Sequence, residues 1–148
     1  MFTYPVYKKL KQVISNVGPV FYYLNQYTRN KDKTSYKVPA VYIEMPTNAK
    51  VDSLNRKIKV LLKQQIKIHY ISYAPFKSDN DNTIQDAALA QHTAQLAAIH
   101  TLVDNLQLKD GEKALTNQFI LINSSENKFE DMCVYSILTY QTDIYLRR

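Results

Sequence analysis

The stretch Ile58 to Tyr73, IKVLLKQQIKIHYISY, restricts the possible folds more than any other part of the chain. Read at every second residue, it places Ile58, Val60, Leu62, Gln64, Ile66, Ile68, Tyr70 and Ser72 on one face. Lys57, Lys59, Leu61, Lys63, Gln65, Lys67, His69 and Ile71 fall on the other. A period of two with one apolar side is the pattern of a strand that buries one face and wets the other. The run far exceeds the usual ~5 to 6 residues of a strand, so it is expected to bend or to project beyond its sheet. A projecting basic ribbon is useful in an assembly and awkward in a monomer.

At 148 residues the chain is long enough to bury a core without disulfides or metal, and one domain over residues 1–148 is expected. The single cysteine, Cys133, lies in an apolar, strand-like run and reads as a core residue. The opening MFTYPVYKKLK lacks an uninterrupted apolar segment, and no run approaches the ~18 apolar residues of a membrane span. A soluble chain made in a cytoplasm, with no membrane partner, is the expectation. Net charge is +6, but it is unevenly placed: residues 1–77 hold 14 Lys or Arg and 3 Asp or Glu, whereas residues 78–148 hold 5 and 10. This asymmetry suits a nucleic-acid face, a head-to-tail oligomer in which basic half meets acidic half, or mutual neutralisation within a monomer.

In chain order, a first helix is predicted over 3–17, with Thr3 as cap, Pro5 in the first turn and Val6, Leu10, Val13, Ile14 and Val17 at helical spacing. Gly18 and Pro19 stop it. Strands are predicted at about 20–27 and 36–45, the second returning after a polar turn, and at 58–73. Residues 46–56 read as an excursion merging into the long strand. Thr83 and Asp86 resemble a capping box, launching a main helix over 84–107. Leu89, His92, Leu96, Ile99, Val103 and Leu106 share one face of it, and Ala87, Ala90, Ala94, Ala97 and Ala98 crowd the other. Alanine is either a solvated helix former or a subunit contact permitting close approach. Residues 108–117 read as a loop, and 118–146 as a closing antiparallel hairpin. The fold class expected is therefore α+β: an antiparallel sheet of about four to five strands packed against one long helix, plus an N-terminal helix.

No reaction is spelled out. With only Gly18 and Gly111, neither a P-loop nor a dinucleotide fingerprint can be written. Asp79-Asn80-Asp81 starts like a calcium loop, but Ile84 and Ala90 stand where glycine and glutamate are required. His92 and His100 lie roughly 12 Å apart along a helix, too far for one zinc ion. A site made of His69, His92 and Cys133 requires those residues to converge on one cleft. No catalytic residue, cofactor or metal is expected, and the chain is not read as an enzyme. A small basic nucleic-acid-binding protein is the alternative function, using the 12 tyrosines and the row Lys57, Lys59, Lys63, Lys67.

The chain resembles the tail-completion or tail-terminator proteins of tailed bacteriophages. The residues that carry the resemblance are the strand Val38-Pro39-Ala40-Val41-Tyr42-Ile43, the alternating strand Gln65 to Ser72, the helix Ile84 to Leu106, and the strands Phe119 to Ile122 and Val134 to Tyr145. It departs from that family in its scarcity of glycine and in the longer stretch Thr47 to Lys63. The resemblance implies a virion protein, assembled in the host cytoplasm, that forms a hexameric or dodecameric ring at the head-tail junction or tail end. DNA passes through the lumen, and other connector, portal or tail proteins dock above and below. In that picture Ala90, Ala94, Ala97, Lys57 and Lys59 are candidate subunit contacts, and Lys63 and Lys67 belong to the DNA channel or the interface.

Overall fold

The computed structural model describes residues 3–24, 37–46, 51–53, 58–74, 82–125, 128–130 and 133–147. Its elements are α1 (Tyr4–Ile14), β1 (Val20–Tyr22), β2 (Ala40–Glu44), β3 (Val51–Ser53) and β4 (Ile58–Tyr73), then α2 (Asn82–Val103). They continue with β5 (Gln107–Asp110), β6 (Lys113–Gln118), β7 (Ile120–Ser124), β8 (Lys128–Glu130) and β9 (Cys133–Arg147).

The expected layer of four to five strands under one long helix is overturned. The described residues are mostly β, one sheet curled into a half-barrel, with two helices among them. Its order is β1-β2-β4-β9-β6-β5, with β3 also on β4, and β7 and β8 also on β9. Two local readings caused the error. Residues 107–118 are polar enough to pass for a loop, yet they form the β5–β6 hairpin, turned at Gly111 with φ 63°. Residues 46–57 contain β3, paired antiparallel with the start of β4. In addition β2 does not return antiparallel along β1: Val20, Phe21 and Tyr22 pair with Val41, Tyr42 and Ile43 in parallel. A tight turn cannot connect parallel neighbours.

The two long strands β4 and β9 form the spine, paired antiparallel from Ile58↔Arg147 to Tyr73↔Cys133. Along β9 the alternation Val134, Ser136, Leu138, Tyr140, Thr142, Ile144 faces the core, opposite Ser72, Tyr70, Ile68, Ile66, Gln64 and Leu61. Leu10 and Ile14 of α1, Ile99 and Val103 of α2, and Phe119 pack on this face, all at 0% exposure. Burying each contributes roughly 1.5–3 kcal/mol. Neither helix alone could cover so wide a sheet, and α2 presents only one stripe to it, with His92, Ile99 and Val103 fully buried. Asn105, at φ 59°, ends α2 in the left-handed conformation that usually falls to glycine. The helix begins at Asn82, so Thr83 lies inside it and not at its cap.

Candidate assembly surface

The register of the spine breaks between Leu61↔Ile144 and Gln64↔Thr142, so Leu62 and Lys63 together oppose Asp143. One residue inserted on one strand is a β-bulge, and it exchanges the faces of everything before it. Leu61, assigned by strict alternation to the wet face, is buried at 4%, and Leu62, assigned to the core, is 48% exposed. The anticipated single-faced lysine row is broken for the same reason. Lys59 pairs with Leu146 on the core-side register, Lys67 pairs with Thr139 on the opposite face, and Lys63 sits in the bulge itself at φ 51°. Lys57 lies outside the described residues.

Asp143 buckles this distortion. Its Oδ1 accepts the Lys63 backbone N–H at 2.8 Å, and its Oδ2 accepts the Asn117 side-chain N–H at 2.9 Å. Tyr145 donates its hydroxyl to Asn117 Oδ1 at 3.0 Å, and Thr142 donates to the Asn117 carbonyl at 2.9 Å. Neither Asp143 nor Asn117 stands out in a search for catalytic motifs. The available signal was a lone carboxylate in the middle of an alternating strand, YQTDIYL.

The face of the sheet opposite the two helices has two zones. At one end Ala40, Tyr42, Ile71 and Cys133 form a small buried cluster against Phe21, Tyr23, Val38 and Tyr135. Toward the bulge the face is polar and open. Lys67, partly exposed, lies 3.8 Å from Glu44, whose carboxylate is also 3.5 Å from Nε2 of the buried His69. Burial, and then the nearby Lys67, lower the His69 pKa to about 4. Open clefts of about 430, 480 and 260 Å³ meet around Lys63, Gln65 and Lys67.

On the helical side, His92 is a core residue at 1% exposure, bonded through Nδ1 to Ser72 Oγ at 2.7 Å and through Nε2 to Ser136 Oγ at 3.0 Å. Burial lowers its pKa to about 4. His69 and Cys133 follow the opposite face in the register and are also enclosed, at 3% and 1% exposure, so these three residues assemble no cleft. Among the described residues no group of His, Cys, Asp and Glu is arranged to hold a metal ion, and no helix is long and apolar enough to cross a membrane. Ala90, Ala94 and Ala97 are exposed on the outer side of α2, together with Ala87 and Ala98.

The charge asymmetry of the sequence is not carried by the strands. Strands β1 to β4 come from residues 1–77 and β5 to β9 from residues 78–148, and the sheet order places the first group on the β4 side of the spine and the second on the β9 side. Strands β1 to β4 hold Lys59, Lys63 and Lys67 against Glu44 and Asp52, and β5 to β9 hold Lys109, Lys113, Lys128 and Arg147 against Asp110, Glu130 and Asp143. The two sides of the sheet are therefore matched in strand charge.

No family model matches the chain, and no curated protein matches it in sequence. Solved structures do match its fold. A chain from the virion of a native gene transfer agent particle aligns with a TM-score of 0.52 at 12% identity, over 95% of this chain and 91% of that one. A second solved structure aligns with a TM-score of 0.50 at 9% identity, over 94% and 92%. The fold of this chain is thus similar, over nearly its whole length, to that of a chain in a gene transfer agent virion.

Proposed function

We propose that this protein is a structural virion subunit whose copies close into a ring at a phage head-tail junction or tail end, through which DNA passes. The observation that carries the reading is the fold shared, over nearly the whole chain, with a chain of a gene transfer agent virion. Copies placed side by side in the same orientation meet through two different sides of the sheet, the β1 side and the β5 side. Such a contact is heterologous, and heterologous contacts close into rings when the rotation per copy allows it.

The fold shared with a gene transfer agent virion chain supports the setting. In the ring, a hexamer or dodecamer, Lys59 makes a subunit contact, and Ala90, Ala94 and Ala97 give a neighbour close approach to α2. Lys63 and Lys67 line either the contact or the channel, where a few positive charges suit sequence-independent passage of DNA. Connector, portal or tail proteins dock on the two ends of the ring. The double variant Lys59→Glu, Lys63→Glu tests the reading by native mass spectrometry: loss of the ring with a folded monomer is expected, and an unchanged oligomer mass contradicts it.

A further inference from the structure

Helix α1 carries a charge pattern that the strands do not. It holds Lys8, Lys9 and Lys11 with no Asp or Glu, and the first acidic residue in the chain is Asp32. No residue three or four positions from any of these lysines is acidic, and Lys8 and Lys11 are themselves such a pair. Like charges at this spacing destabilise a helix, and a solvated helix face relieves them with carboxylates at i+3 or i+4. The helix dipole accounts for Lys11, which lies in the last turn, but not for Lys8 and Lys9. Lys8 and Lys11 are exposed and Lys9 is half-buried, and among the described residues none of the three makes an ion pair.

The opposite face of α1 is already used: Val6, Tyr7, Leu10 and Ile14 are buried in the core. A basic helix that lies on a bilayer inserts its apolar face, and α1 has none left to insert. Its outer stripe, Tyr4, Lys8, Lys11 and Gln12, also lacks the aliphatic anchors around which a protein interface is centred. Tyr4 is 51% exposed, with its ring 6.1 Å from Tyr7, which packs edge-on against Tyr22 at 5.2 Å. Tyr4 to Lys11 spans roughly 10 Å of helix, the length of about three phosphates along one strand of a duplex.

We propose that the outer face of α1 binds the phosphate backbone of a nucleic-acid duplex without reading its sequence. Lys8, Lys9 and Lys11 neutralise successive phosphates, and the Tyr4 hydroxyl donates to a phosphate oxygen at the end of the row. The contact is separate from Lys63 and Lys67, and it does not require the copies to close into a ring.

The test is binding of a short DNA duplex by the full chain across a salt series. It compares the wild type with the triple variants Lys8→Gln, Lys9→Gln, Lys11→Gln and Lys8→Arg, Lys9→Arg, Lys11→Arg. Glutamine and arginine match lysine as helix formers, so both variants are expected to fold. The glutamine variant should show a plot of log affinity against log salt that is shallower by about 2 to 3, since each lost phosphate contact removes roughly 0.9 from the slope. The arginine variant should keep the wild-type slope, and native mass spectrometry should give one oligomeric state for all three chains. An unchanged slope in the glutamine variant, or a wild type that binds no duplex even at low salt, overturns the α1 site. So does a glutamine variant that loses an oligomer the wild type forms, which makes α1 a subunit contact instead. Acetylation of the wild type with and without duplex gives the answer even where a variant does not fold: protection of Lys8, Lys9 and Lys11 is expected, and protection confined to Lys63 and Lys67 overturns the site. The ring reading keeps its own test in oligomer mass.

Discussion

Lys63 holds a backbone angle, φ 51°, that costs a non-glycine residue roughly 1–2 kcal/mol, and the Asp143 carboxylate keeps it there. Lys63→Gly should therefore raise stability by about 1 kcal/mol, whereas Asp143→Ala should lower it by about 1 kcal/mol, both read from denaturant midpoints. An Asp143→Ala chain as stable as the parent would mean that the bulge is held by packing alone. A second residue-scale prediction concerns His92. Its folded pKa of about 4 lies below its ordinary 6.5, so between these values the unfolded chain takes up the extra proton. Stability is complete above pH 6.5 and falls as the pH drops toward 4, by about 3 kcal/mol from this residue. His69 acts in the same direction, its pKa also lowered to about 4. His92→Gln keeps a donor and an acceptor without a titrating ring and should flatten the pH dependence of the melting temperature; an unchanged slope would assign that dependence elsewhere. The core role of His92 was legible in its place among Leu89, Leu96 and Ile99. The buckle at Asp143 was not, because its partners Lys63 and Asn117 are 80 and 26 residues away.

At the scale of elements, periodicity served best where one side chain pattern ran unbroken. The stripe Val6, Leu10, Ile14 located α1, and Ile66, Ile68, Tyr70 with Leu138, Tyr140, Ile144 located the spine. It failed where one inserted residue shifted the phase, since an alternating pattern cannot show which strand has looped out at Leu62-Lys63. It failed again at β5 and β6, where polar residues on exposed edges conceal strands whose pairing is decided by Leu108, Leu115 and Thr116 packing inward. The alanine side of α2 was legible as a surface, and its exposure gives a direct experiment. Ala94→Glu should leave monomer stability within about 0.5 kcal/mol, because the side chain has room in solvent, and should abolish the oligomer. Calorimetry and native mass spectrometry on the same sample separate the two effects. A stable monomer-sized species with unchanged melting supports a contact at α2, while an intact oligomer assigns the alanines to helix formation only.

For the whole molecule, the charge asymmetry was visible in the sequence from the start, but the strands do not carry it. The order β1-β2-β4-β9-β6-β5 keeps the strands of the two halves on separate sides of the spine, and the charges within each group nearly balance. Polar contacts between copies, such as those proposed for Lys59 and Lys63, weaken as salt screens them, with a Debye length of roughly 10 Å at 0.1 M. Native mass spectrometry of the wild-type chain across a salt series, alone and with short duplex DNA, tests this most directly. A discrete hexamer or dodecamer that dissociates as salt rises is the predicted result. A chain that stays monomeric throughout, and binds the duplex until salt displaces it, would contradict the ring and identify a nucleic-acid-binding protein instead.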